Sequence, residues 1–187
     1  VRSRHCQLAE LAAILSGSGK ISMQGGQMHV TLTTENVSVA KRYVSLLQLA
    51  GDMTAEITQA HSVQQKNKVS YLADLSEEKA VRKLFLLLKI IGKDGSIREN
   101  MTLTDGMLLQ KDCCKRAFLR GAFLAAGSMS NPKKSYHFEI VCSEPCKARQ
   151  LQELFGAFRL DAKVTARKNH EIVYLKEGSQ IVDALNI

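Results

Sequence analysis

No apolar run in the 187 residues is long enough to cross a bilayer; the richest, Leu84 to Leu88, is fenced by Lys83 and Lys89. That excludes a long helical membrane span, and no membrane partner is expected. No signal-peptide pattern opens the chain, so a cytoplasmic address is the expectation. The five cysteines are odd in number and no CxxC occurs, which argues against a disulfide framework. Cys142 and Cys146 with His137 could be read as metal ligands. Cys142, however, has the parity of a strand core and Cys146 falls in a helix's first turn. Structural zinc needs four convergent ligands, so neither a metal site nor a cofactor is expected.

What is present is ordinary in bulk and unusual in charge. Apolar residues make up 45% and charged ones 24%, as in a soluble globular protein. The length allows one large core or two small fused units. The net charge is +8. Such an excess fits a polyanionic partner or merely a soluble basic surface, and charge alone does not choose between them.

The pattern that organises the chain runs from Lys115 to Val141. Ala117, Gly121 and Ala125 recur every fourth position on a helix that Gly127 closes. A stripe of small residues at that spacing lets a second helix approach closely. Subtracting 108 gives Ala9, Ala13, Gly17 and Gly19, in the run QLAELAAILSGSG. The same offset carries His137 onto His29, Phe138 and Ile140 onto Val30 and Leu32, Ala148 onto Ala40, and Leu154 onto Leu46. One ungapped register through helix, strand and helix is the mark of an internal duplication.

Periodicity gives each copy the order helix, two strands, helix, two strands, helix. In copy one a helix from Gln7 to Ser16 stops at Gly17 and Gly19. Lys20 to Gln24 and Met28 to Thr34 form a hairpin across Gly25-Gly26, a pair suited to positive φ. Asn36 or Thr34 caps a helix that runs to Ala50 and ends at Gly51. Strands follow at Met53 to Gln59 and Val69 to Ala73, then a helix from Ser76 to Gly92. After a connector come the motif helix ending at Gly127, strands at Ser128 to Ser130 and Tyr136 to Cys142, and a helix capped by Ser143 with Pro145 in its first turn. Strands at Ala162 to Arg167 and Ile172 to Leu175, and a helix opened by Ser179, complete copy two. The expected fold is α+β, a duplicated αββαββα unit, with repeats at 1–93 and 112–187 joined by 94–111.

Strand parity sorts the faces. Val30, Leu32, Phe138 and Ile140 point to the core, as do Ala162, Val164 and Ala166. The free face then carries Lys20, Gln24, Gln27, His29 and Thr31 from copy one. From copy two it carries Lys133, Lys134, His137, Lys163, Arg167 and Lys168, on strands or rim turns. These are the candidate DNA contacts, denser in copy two. The histidines are either polar side chains facing solvent or a symmetric pair of phosphate or base contacts.

The paired helices, Leu11 to Gly19 and Leu119 to Gly127, each end in glycine and lead into a strand. In this they resemble the LAGLIDADG motif of homing endonucleases. More closely, FLRGAFLAAGSMSNPKKSYHFEIV and RHCQLAELAAIL are similar to the WhiA family of bacterial regulators. The resemblance implies a saddle of antiparallel strands packed on paired motif helices. It also implies a role in transcription, sporulation, cell division and chromosome segregation, and a place at the nucleoid. DNA is the implied partner, bound in that family through a C-terminal helix-turn-helix domain that has no counterpart here. A WhiB-like iron–sulfur protein is a further implied partner type. In the endonucleases an acid precedes the last glycine of each motif, and the two acids hold divalent metal at the scissile phosphates. Hard cations need such oxygen ligands. Here Ser18 and Ala126 stand at those positions, so the expected function is that of a catalytically inactive, non-enzymatic DNA-binding domain. A protein-docking module and an active endonuclease with a relocated metal site are the alternatives.

Overall fold

Two fifteen-residue helices, α1 (Arg4–Ser18) and α4 (Asp112–Ala126), form the centre of the fold. Both ends of α1 map onto both ends of α4 by the offset of 108. The computed structural model describes residues 3–61, 69–90, 107–130 and 137–187. In α1 every residue from Cys6 to Leu15 is buried, as expected of a helix enclosed on all sides rather than amphipathic. The helices touch through equivalent positions. A Cβ on Gly121 would meet Ala13, and one on Gly17 would meet Ala125. Helices that contact residue against equivalent residue run side by side in the same direction.

Each helix feeds directly into a four-stranded antiparallel sheet. The first sheet is β1 (Gly19–Gln24), β2 (Gln27–Thr34), β3 (Glu56–His61) and β4 (Val69–Leu75), in the order β1-β2-β4-β3. The second is β5 (Gly127–Met129), β6 (Phe138–Cys142), β7 (Lys163–Arg167) and β8 (His170–Leu175), in the order β5-β6-β8-β7. Helices α2 (Val37–Gly51) and α3 (Glu78–Leu88) cover the inner face of the first sheet. Helices α5 (Pro145–Gly156) and α6 (Gly178–Leu185) pack against the second. Because β1 and β5 start at the C-terminal ends of adjacent helices, the two sheets flank each other there and form the saddle. A short 3-10 turn, Met107–Leu109, precedes α4.

The inward set is buried as parity requires: Val30, Leu32, Phe138, Ile140 and Ala162 are at most 3% exposed. Stacking of Phe123 on Phe138, with Phe155 edge-on to Phe138, fills the second core. The hairpin turn is as expected, with φ of 57° at Gly25 and 83° at Gly26. Asn36 caps α2 by accepting from the Ser38 amide at 2.9 Å.

Several expected details are corrected. Val164 and Ala166 are exposed, not core. Val164 does share a face with the buried Val173 opposite it, but β7 is an edge strand and every residue from Lys163 to Arg167 is exposed. Met53 does not start a strand; it is buried at the end of α2, and β3 begins at Glu56. Gly17 lies within α1, and Gly51 is the last residue of α2, with Asp52 taking the left-handed turn at φ 50°. Leu88 ends α3, where Lys89 turns left-handed at φ 54°; Gly92 lies outside the described residues. The N-cap positions of α3 and α5 are Glu77 and Glu144, not Ser76 and Ser143, and α6 begins at Gly178, one residue before Ser179.

Candidate nucleic-acid interface

The closest approach of the motif helices is at Gly121, where an added Cβ would stand 2.5 Å from the Glu10 carbonyl oxygen and 2.9 Å from Ala13 Cβ. Gly17 comes next, with Ala125 Cβ at 2.8 Å. Ala9 and Ala117 are fully buried nearby. Gly19 and Gly127 end their helices in extended backbone, and a Cβ on either would collide with the carbonyls of Leu15 and Phe123. Small residues from both helices thus line the contact between them.

At those ends the two motif positions, Ser18 and Ala126, carry no carboxylate. Ser18 Oγ donates to the Ala125 carbonyl at 2.8 Å, so its hydroxyl serves the helix contact. Ala126 offers only a methyl group. A hard divalent cation needs anionic oxygens, and these residues do not fit one. Lys147 from α5 reaches the same region, donating to the Ser16 carbonyl at 2.9 Å and to Ser143 Oγ at 3.2 Å. It places a cation at the negative end of α1.

A buried carboxylate crosses between the helices half-way along. Glu10, 1% exposed, accepts from Arg42 Nε and Nη2 at 2.7 and 2.9 Å, and from Arg120 at 3.2 Å. Burial alone would push this carboxyl up, but the Arg42 fork and the Arg120 charge outweigh it and hold it below the ordinary carboxylate range. Glu10 is thus a structural clamp on three helices.

The saddle face is polar and mixed in sign. In the first sheet Lys20, Thr31, Asp74 and Glu56 align across neighbouring strands. His29 Nδ1 lies 2.8 Å from Asp74 Oδ2. Asp74 Oδ1 and the Tyr43 hydroxyl are buried without a hydrogen-bond partner among the described residues. Burial, then the Asp74 charge, raises the Tyr43 phenol. Gln24 and Gln27 face each other, exposed, at the hairpin tip. In the second sheet His137 Nε2 lies 2.9 Å from Glu139 Oε2, and Ser128 Oγ donates to Glu139 at 3.2 Å. Lys163 pairs with Asp161 at 2.7 Å, both well exposed. Arg167 and Lys168 frame the β7–β8 turn, Lys168 in left-handed backbone at φ 56°. Among the described residues Lys20, Arg167 and Lys168 have no ionic partner. A concavity of about 360 Å³ opens on this face beside His137, Glu139, Thr165, Arg167, Ile172 and Tyr174.

The structure thus brings the copy-two candidates His137, Lys163 and Arg167 onto one surface, with Lys168 at its rim. Lys20, Gln24, Gln27, His29 and Thr31 form its copy-one counterpart. Lys133 and Lys134 lie outside the described residues. The symmetric histidine pair is modified: each imidazole faces a carboxylate, Asp74 or Glu139. Glu139 shares the parity of His137 and so this face, whereas Asp74 lay beyond the expected strand end at Ala73.

The possible metal ligands that converge are not Cys142, Cys146 and His137. Cys142 is buried, with its thiol pushed up to about 11 by desolvation. Among the described residues the group of three or more possible ligands is His5, Cys6, Cys113 and Cys114. It sits at the far ends of α1 and α4 from Ser18 and Ala126. Burial and the neighbouring thiols push Cys6 up to about 12.

Comparison with known proteins agrees with this geometry. The WhiA N-terminal LAGLIDADG-like domain matches residues 4–91, and the WhiA LAGLIDADG-like domain matches residues 115–187. A probable cell division protein WhiA of Lachnoclostridium phytofermentans is 42% identical over 186 residues, 99% of this chain and 59% of that protein. One from Alkaliphilus oremlandii is 36% identical over 100% of this chain and 59% of its own length. The chain therefore spans about three fifths of these relatives. The crystal structure of an N-terminal LAGLIDADG domain of DUF199/WhiA superposes with a TM-score of 0.73 at 19% identity, covering 98% of this chain and 81% of that one. A Glu-to-Ala variant of the homing endonuclease I-DmoI, crystallised with its target DNA and manganese, gives 0.67 at 14% identity over 98% of this chain and 94% of that one. Matched by both LAGLIDADG-like domains along most of its length, the chain belongs to the WhiA family.

Proposed function

We propose that the chain is a catalytically inert, non-enzymatic DNA-binding domain of a bacterial transcription regulator acting in cell division and sporulation at the nucleoid. The observation that carries this reading is the pair of motif ends. The endonuclease scaffold is retained, yet one end presents an engaged hydroxyl and the other a methyl group. Without carboxylates there, nothing anchors a metal ion against a scissile phosphate. What remains useful on the scaffold is the polar saddle. Lys20, Arg167 and Lys168 are cations without ionic partners among the described residues, and Lys163 is held only by an exposed pair, of small energetic weight. Contacts from such groups are to phosphates and carry little sequence information. Promoter choice then belongs to a helix-turn-helix domain elsewhere in the full-length protein.

Asp74, Glu56 and Glu139 on the same face favour a second reading for part of it. Acids there repel phosphate and suit docking of a basic protein surface, including that of the helix-turn-helix domain. The test is duplex binding by this chain across a salt series, with magnesium or manganese present and product length followed. The proposal expects binding that weakens steeply with salt and leaves the DNA uncut. Absence of binding at low salt favours docking, and metal-dependent cleavage refutes inertness.

A further inference from the structure

The first turns of the two motif helices carry matching dipeptides. His5-Cys6 opens α1, Cys113-Cys114 opens α4, and the offset of 108 maps one onto the other. Because the helices run side by side through equivalent positions, these four side chains meet at one end of the pair. His5 Nδ1 is 3.2 Å from Cys6 Sγ and 3.1 Å from Cys114 Sγ. All four possible donor atoms, Cys113 Sγ included, lie within 4.8 Å of one another.

We infer that His5, Cys6, Cys113 and Cys114 bind a single zinc ion that staples the N-terminal ends of the two repeats together. Three sulfurs and one imidazole nitrogen form a donor set of structural zinc, and their softness disfavours magnesium and calcium. In a tetrahedral site with metal–sulfur bonds of about 2.3 Å and a metal–nitrogen bond of about 2.0 Å, donor atoms sit roughly 3.5–3.8 Å apart. The observed spacing brackets that value, so small side-chain rotations complete the shell. Two helix N-termini converge here, and their partial positive charge offsets part of the burial that pushes the Cys6 and Cys114 thiols up. On binding, the three thiols release their protons to solvent. Cys6 and Cys114 are buried while Cys113 is exposed, which gives a closed site with an entry path. Cys6 lies about 18 Å along the helix from Ser18 at 1.5 Å per residue, so this ion would have no part in phosphate chemistry. It would join residues more than one hundred positions apart in sequence.

The test uses the chain purified under reducing conditions and desalted, with metal content measured by mass spectrometry. The expected result is one zinc per chain. Cobalt(II) added to the stripped protein should give the intense visible bands of a tetrahedral thiolate site. Cys113→Ser alters an exposed side chain, so the fold is retained. It should weaken cobalt binding at least tenfold and shift the bands as one sulfur is lost. Cys146→Ser, exposed elsewhere, should change neither. Stripping zinc should lower the melting temperature of the parent by several degrees and that of Cys113→Ser by much less. The inference is overturned by a reduced, metal-free parent that takes up no cobalt, by an octahedral cobalt spectrum, or by Cys113→Ser binding as tightly as the parent. A disulfide among these cysteines that persists with zinc and glutathione overturns it equally.

Discussion

Gly121→Ala probes the crossing on which the whole duplication rests. The added methyl would stand 2.5 Å from the Glu10 carbonyl oxygen, which belongs to the main chain of a helix buried on every side. Ordinary carbon–oxygen contacts begin near 3.3 Å, so α4 has to withdraw by about 0.8 Å. Neither a rotamer change nor local relaxation can absorb that. Overpacking typically costs about 1–3 kcal/mol, and a main-chain collision belongs at the top of that range. Replacing glycine inside a helix returns about 1 kcal/mol through helix propensity. The net loss is about 2 kcal/mol, a fall in melting temperature of roughly 4–8 °C for a chain of this size. Gly156→Ala is the control. It closes α5, and a Cβ there meets nothing within 4 Å. A compatible Gly→Ala change stabilises by about 0.4–1 kcal/mol, or roughly 1–4 °C. Calorimetry of both variants should therefore give shifts of opposite sign. A Gly121→Ala protein melting at or above the parent would refute the close crossing.

Other outcomes follow from named contacts. Arg42→Met should destabilise more than Arg120→Met, because Arg42 gives Glu10 two short hydrogen bonds and Arg120 one longer one. Breaking a buried pair costs about 3–5 kcal/mol, and the partial exposure of Arg42 sets its value near 3; equal denaturation midpoints would contradict this. Glu10 has a folded pKa below its unfolded one, so its contribution is complete above the ordinary carboxylate range, about pH 4.5. It is lost as pH falls through the folded value. Acid titration of Arg42→Met should accordingly show unfolding at higher pH than the parent, and an unchanged acid midpoint would rule out the clamp. Prolonged incubation with magnesium or manganese should leave duplex DNA intact. Cleavage abolished by mutating a particular acid would reveal a relocated metal site.

The duplication was legible because one ungapped offset passes through Gly121, His137 and Leu154 alike, and a false register rarely holds across three elements. Parity then assigned Val30, Leu32, Phe138 and Ile140 correctly. It failed at Val164 and Ala166 because alternation names a face and does not say whether a helix covers it. Gly51 misled because glycine usually takes the left-handed turn, yet Asp52 takes it and donates its amide to the Gln48 and Leu47 carbonyls. The Glu10 clamp could not be read, since its partners lie 32 and 110 residues away with no shared spacing. The carboxylates beside His29 and His137 change how the saddle presents itself, and Asp74 fell past the expected end of its strand. His5-Cys6 and Cys113-Cys114 did carry a signal, the same offset of 108. They lie just before Gln7 and its repeat equivalent Lys115, from which the two motif helices were read.

The proposed hold of the saddle on DNA, mainly through the second repeat, is decided by two sets of charge reversals compared across a salt series. Lys163, Arg167 and Lys168 changed together to Glu remove cations from the saddle and its rim. Lys41, Lys79 and Lys83 changed to Glu alter exposed positions on the helices behind the first sheet. Arg42 is unsuitable for that control because it holds Glu10. Each lost phosphate contact lowers the slope of log K against log salt by about 0.9. The saddle set should therefore lose up to about 2.7 units of slope and most of its low-salt affinity, while the helix set stays near the parent. Loss of binding in the helix set, with the saddle set unchanged, would place the DNA contacts on the helices instead.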